Sequence, residues 1–163
     1  VKTLLIVWHS RTGGAEQMAR AAEEAAAQEA GVRVVRKRAD GTAADDLLRA
    51  DGYLFVAPEN LASLSGEMKE FFDRNYYPLL DRINGRPYAL LICAGSDGTG
   101  AERQMRRICN GWRLREVAPA VIVNTDAQTA DKILAPKLIT PDQLARCAEV
   151  GAALAAGLAA GVF

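Results

Sequence analysis

Leu4-Leu5-Ile6-Val7-Trp8-His9-Ser10-Arg11-Thr12-Gly13-Gly14-Ala15-Glu16-Gln17-Met18-Ala19 is the stretch that decides the fold of this 163-residue chain. Thr3–Trp8 is a short apolar run, as in a strand buried on both faces. Two glycines follow. Ala15, Met18, Ala19, Ala22, Ala25 and Ala26 then recur at helical spacing, opposite Glu16, Arg20, Glu23 and Glu24. Between strand and helix, His9–Ala15 suits a phosphate. Its glycines let backbone N–H groups turn inward, Ser10 and Thr12 add hydroxyls, and the helix contributes the positive end of its dipole. Arg11 is free to face a dianion or to point to water. Taken alone, the loop also reads as a plain glycine-rich turn. Other phosphate sites fall away on their residues. There is no G-x-x-x-x-G-K-[ST], no G-x-G-x-x-G after the first strand, and no cysteine nucleophile in the loop.

Outward from this stretch the pattern alternates. Gly31 is expected to stop the first helix, and Val32–Lys37, with Arg33, Arg36 and Lys37, reads as a strand nearer an edge. Asp45–Ala50 is a short helical stretch. Gly52–Ala57 is a buried strand ended by Pro58, which opens a loop to about Ser63. Met68, Phe71 and Phe72 stripe the next helix, and Gly85 and Pro87 mark a turn. Tyr88–Ala94 is a strongly apolar strand followed by the glycine-rich Gly95–Gly100. Ala101, Met105, Ile108 and Cys109 recur helically until Gly111. Val117–Val123 is a fifth strand in which Pro119 signals an edge or a bulge. Asn124–Ile139 is a long loop, and Thr140, Pro141 and Gln143 make a capping box for a last helix reaching about Ala160. This order predicts an α/β fold, a parallel sheet with helices on both faces, in a single domain over residues 1–163.

Half the residues are hydrophobic and a quarter charged, which argues against disorder. The 20 basic and 20 acidic residues cancel, so nothing favours nucleic acid or an anionic membrane. Cys93, Cys109 and Cys147 are odd in number and lack C-x-x-C spacing, so they are expected to be reduced, buried thiols with no zinc site. The chain begins directly on a strand-like run, with no signal peptide expected. Val150–Phe163 is apolar but shorter than the ~20 residues a span needs. A cytoplasmic protein without membrane insertion is the expectation.

In an open α/β sheet, ligands sit beyond the carboxyl ends of the strands. Three strands end there in unusual loops: His9–Ala15, Pro58–Ser63 and Gly95–Gly100. Ser10-Arg11-Thr12-Gly13-Gly14-Ala15 resembles the [ST]-x-T-G-x-[ST] phosphate loop of the flavodoxin superfamily, with Ala15 in place of the last hydroxyl. Pro58-Glu59-Asn60-Leu61-Ala62, with Ser65-Gly66-Glu67-Met68-Lys69-Glu70-Phe71-Phe72-Asp73, is similar to the flavin-ring loop and following helix of the NAD(P)H-dependent FMN reductases and quinone reductases in that superfamily. The glycine-rich loop Ala94–Gly100, with Ala94, Gly95, Ser96, Asp97 and Gly98, resembles their third flavin contact.

The resemblance implies a flavodoxin-like three-layer sandwich with a five-stranded parallel sheet in the order 2-1-3-4-5. It implies FMN as cofactor and NADPH or NADH as reductant. Hydride would pass to flavin N5 and onward to a quinone or similar acceptor, with no catalytic side chain and no metal. Ser10, Thr12, Gly13 and Gly14 would hold the phosphate. Glu59, Asn60 and Leu61 would border the ring on one side, and Gly95, Ser96, Asp97 and Gly98 on the other. Tyr76, Tyr77 and Trp112 are candidates to cover the ring, from this chain or a neighbouring subunit, or else packing residues. His9, the only histidine, is expected to be structural or phosphate-adjacent. Two alternatives stay open: an electron carrier without its own substrate, and a binding module that has lost flavin. The balanced charge favours the reductase, because flavodoxin carriers are typically strongly acidic. The Phe71–Tyr77 aromatic cluster hints at a homodimer or homotetramer.

Overall fold

The computed structural model describes all 163 residues. β1 (Lys2–Trp8) leads through the glycine-rich loop into α1 (Gly14–Ala26), and β2 (Val32–Arg38) pairs with β1 in parallel. α2 (Ala44–Arg49), β3 (Gly52–Asn60), the two-residue β4 (Ser63–Leu64) and α3 (Gly66–Leu79) follow. β5 (Pro87–Ala94) and α4 (Thr99–Gly111) precede two short strands, β6 (Arg115–Glu116) and β7 (Val121–Asn124). α5 (Ala130–Leu134) and α6 (Pro141–Ala160) complete the chain.

The sheet runs β2-β1-β3-β5, with β6 and β7 both paired to β5. This is the expected order once β6 and β7 are taken as one broken fifth strand. The break sits at Pro119. Between the two pairings β5 advances three residues, Tyr88 to Leu91, while its neighbour advances five, Glu116 to Val121. Two residues therefore bulge out where a proline cannot donate to the ladder.

The period-2 geometry of the strands divides the core. Leu4 and Ile6 face the side covered by α1 and α6, where they join Leu54, Val56, Met18, Val150 and Leu154. Leu5 and Val7 face the other side, with Tyr53, Phe55, Met68, Phe71, Phe72 and Trp112. Each strand is thus buried on both faces, which explains its unbroken apolar run.

Several boundaries differ from the sequence reading. α1 stops at Ala26, well before Gly31, because Gln28 and Glu29 donate to Ala25 and Ala26 in short-range bonds that tighten the end. β3 does not end at Pro58. Pro58 stays in register with Cys93, and Asn60 and Glu59 turn back to pair antiparallel with β4. The Asn124–Ile139 loop contains α5. Phe71 and Phe72 lie in the core, so only Tyr76 and Tyr77 of that aromatic cluster reach the surface. No helix is long and apolar enough to cross a membrane.

Candidate functional site

The parallel pairing brings the ends of β1, β3 and β5 to one edge of the sheet. At the first, Gly13 has φ +93°, a backbone region open to glycine, and its N–H donates to Ser10 Oγ at 3.0 Å. Gly14 is needed for close approach, since a Cβ there would lie 2.6 Å from Cys93 Sγ. No side chain caps α1. The N–H groups of Arg11, Thr12, Gly14 and Ala15 have no partner within the chain, although Gly14 and Ala15 are buried. A buried helix start with unpaired donors has the chemistry to hold an anion. The Ala15 methyl is packed into the core beside Met18.

Arg11 does not reach over this cradle to replace the missing hydroxyl. Its Nη2 donates to Glu67 Oε1 at 2.7 Å, and its Nε donates to the Asn60 side-chain oxygen at 2.8 Å. His9 is 6% exposed. Its Nδ1 lies 2.8 Å from Ser65 Oγ and its Nε2 2.8 Å from Glu67 Oε2. Burial holds the imidazole below its ordinary value, outweighing the opposite pull of Glu67. His9 thus ties the first loop to the start of α3, which agrees with a structural role beside the cradle.

The second loop is a tight turn with Leu61 at φ +52° and Ala62 at φ +64°. Leu61 is fully solvent-exposed, and neither N–H of the pair is used within the chain. Asn60 donates its amide N–H to the Glu59 carbonyl. Glu59 reaches to the third loop: its carboxylate accepts the N–H of Gly98 at 2.8 Å and of Ala101 at 3.1 Å, capping α4. Gly100 packs on the Ala62 carbonyl. Loops two and three are therefore one rigid unit. In the third loop the N–H groups of Gly95, Ser96 and Asp97 are unpaired, while Asn124 donates to the Ser96 carbonyl and Thr99 Oγ1 donates to Asp97 Oδ1 at 2.8 Å.

The aromatic candidates lie elsewhere. Tyr76 and Tyr77 are at the far end of α3 and Trp112 follows α4, so all three sit toward the opposite end of the sheet. Trp112 packs on Phe71 and Phe72, and Tyr76 stacks on Tyr77. Within one chain none of them covers the three loops.

Two residues escaped the sequence reading. Gln17 donates to the carbonyls of Gly13 and Lys137 and accepts the N–H of Ile139. Lys137 donates its main-chain N–H to Thr12 O at 2.9 Å and its Nζ to Thr12 Oγ1 at 3.1 Å. The spacing of more than a hundred residues leaves no local signal for either contact.

A family model described as NADPH-dependent FMN reductase matches residues 39–128 of the chain. That span includes the second and third loops but not the first. A protein of Aquifex aeolicus (strain VF5) named Flavodoxin is 32% identical over 99 residues, which is 61% of this chain and 54% of that protein. The match thus spans about half the length of that curated relative. Among solved structures, a flavodoxin from the domain Archaea superposes with TM-score 0.77 at 15% identity, covering 96% of this chain and 98% of that one. A flavodoxin, WrbA-like protein from Agrobacterium tumefaciens gives 0.75 at 16%, covering 99% of each. Two-electron reduced Megasphaera elsdenii flavodoxin gives 0.74 at 22%, covering 94% and 98%. At these identities the structural likeness establishes the fold, which is flavodoxin-like.

Proposed function

Because the chain belongs to the NADPH-dependent FMN reductase family, we propose that it binds FMN and passes reducing equivalents from NADPH or NADH to a quinone or similar small acceptor. The phosphate would rest on Ser10–Ala15, and the isoalloxazine ring would lie against Pro58–Ala62 and Ala94–Gly98. The observation that carries the reading is the set of unpaired N–H groups at the buried start of α1, beside the Thr12 hydroxyl. Such donors suit a phosphate dianion, and no side chain caps them.

When bound, FMN supplies the hydride-accepting N5 and the onward electron transfer, so no nucleophile or metal is required of the protein. The chain's own residues position and shield. The N–H groups of Leu61, Ala62, Gly95, Ser96 and Asp97 are available to the polar edges of the ring. Leu61 offers an apolar surface at the turn. Glu59 fixes the spacing of the two ring loops through Gly98 and Ala101. No bulky aromatic from this chain covers the loops, which leaves access for a nicotinamide or quinone.

A depression of about 410 Å³ beside Gly100 is lined by Lys69, Arg103, Gln104 and Arg107. Arg103 and Arg107 stand one helical turn apart, and neither has an acidic partner in the chain. This basic surface next to the ring loops favours a phosphorylated reductant and supports the reductase over a carrier. The carrier reading rests on the curated relative named Flavodoxin. Anaerobic mixing separates the two. NADPH or NADH should bleach the FMN-loaded protein rapidly; bleaching only by a reduced partner protein would establish the carrier.

A further inference from the structure

The long loop between β7 and α6 returns to the phosphate cradle and delivers a cation to it. Lys137 is the basic residue concerned. Its main-chain N–H bonds Thr12 O at 2.9 Å, its carbonyl accepts from Gln17 Nε2 at 2.7 Å, and Ile139 N–H bonds Gln17 Oε1 at 3.1 Å. Gln17 also donates to Gly13 O, so the segment is laced to the first loop through both main chain and side chain. A Cβ on Gly14 would lie 3.4 Å from Lys137 Cβ, which shows how closely the two backbones approach.

The ammonium is held in place. Lys137 Nζ donates to Ile133 O at 2.8 Å, to Ala135 O at 2.6 Å and to Thr12 Oγ1 at 3.1 Å. The bond to Thr12 has a chemical consequence. A hydroxyl that accepts from a lysine through its oxygen keeps its own proton for another acceptor. Thr12 is thereby set as a donor, and the nearby positive charge strengthens the bond it gives. The other basic side chain of the cradle, Arg11, is committed to Glu67 and Asn60. Lys137 is therefore the cation free of any carboxylate partner at this loop.

Resting on the assignment of the first loop to the FMN phosphate, we propose that Lys137 is a positioning residue that orients Thr12 and offsets the phosphate charge. On this view the loop 124–139 serves to complete the cradle, and it takes over part of what the hydroxyl absent at Ala15 would supply. The phosphate carries a charge near −1.5 to −2 at neutral pH, so the lysine discriminates FMN from riboflavin without touching the ring.

The test compares Lys137→Met, Lys137→Arg and Thr12→Val, alone and combined, by titration with FMN and with riboflavin. Lys137→Met keeps the main-chain bond to Thr12 and most of the stem. It should weaken FMN about ten-fold, with riboflavin changed less than about two-fold, as removal of one charge-assisted contact implies. Lys137→Arg should restore most of the loss. In the Thr12→Val background the effect of Lys137→Met should shrink, because the two act through one contact. Equal losses for both ligands, or an undiminished effect in the Thr12→Val background, would reduce Lys137 to a staple for Ile133–Ala135 and overturn the proposal. If Thr12→Val selects against FMN while Lys137→Met does not, only the lysine inference fails. If neither variant distinguishes FMN from riboflavin, the assignment of the loop itself fails.

Discussion

The Glu59 carboxylate crosses from the end of β3 to accept the N–H of Gly98 at 2.8 Å. A second bond, from Ala101, completes the cap of α4. One side chain therefore joins the two loops assigned to the flavin ring. Glu59→Ala should cost about 1.5–3 kcal/mol of stability, the range for hydrogen bonds to a charged group. It should also weaken FMN and riboflavin alike, because the damage lies at the ring and not at the phosphate. Urea denaturation and paired flavin titrations measure both effects; a selective loss of FMN would contradict the role given to Glu59.

Gly14 is a packing requirement. A methyl added there meets Cys93 Sγ at 2.6 Å. Gly14→Ala should destabilise by about 1–3 kcal/mol through overpacking. Cys93→Ala removes the sulfur, so the double variant should regain most of that loss in urea midpoint. An equal penalty with and without the sulfur would place the strain elsewhere.

His9 sets a pH dependence. Burial depresses its value in the folded chain, and unfolding returns it to its ordinary 6.5. As pH falls through that region the unfolded chain takes up a proton that the folded chain resists. The contribution is therefore present above 6.5 and lost on acidification. Wild-type stability should decline from about pH 7 to 5, and His9→Gln should flatten the part of that decline due to the imidazole. Parallel stability–pH curves for the two proteins would refute the assignment.

The basic depression makes a kinetic prediction. Arg103→Ala combined with Arg107→Ala should raise KM for NADPH with little change in kcat, since both arginines line the surface beside Gly100 and neither is assigned a contact with the flavin. The rise should be about ten-fold or more, as expected for losing one or two of the proposed contacts to a reductant phosphate. Steady-state kinetics with NADPH and NADH decides it; an unchanged KM for both would remove the depression from the reductant path.

Much of the fold was legible because the strands are buried on both faces. Leu4–Val7, Tyr53–Val56 and Leu90–Ile92 are unbroken apolar runs, as strands of a covered parallel sheet require, and their alternation with helical stretches points to that sheet. Pro119 announced the interrupted edge strand. Pro58 misled: a proline in register with Cys93 ends no strand when a hairpin continues beyond it. The candidate site was legible to the extent that it is local. Thr12, Gly13 and Gly14 are contiguous, and the role proposed for them follows from loop geometry. The contacts between Glu59 and α4, and between Lys137 and Thr12, join segments far apart in the chain, and only the folded topology brings them together. Tyr76, Tyr77 and Trp112 show the converse. Residue type made them candidates for the ring, and helix direction carried them to the other end of the sheet.

The most direct test of the flavin assignment is titration of wild-type and Thr12→Val protein with FMN and with riboflavin, followed by quenching of flavin fluorescence. The wild type should quench FMN and bind it more tightly than riboflavin. Thr12→Val should lose about ten-fold for FMN and little for riboflavin, because only FMN carries the phosphate. Absence of quenching by the wild type with either flavin would contradict FMN binding outright.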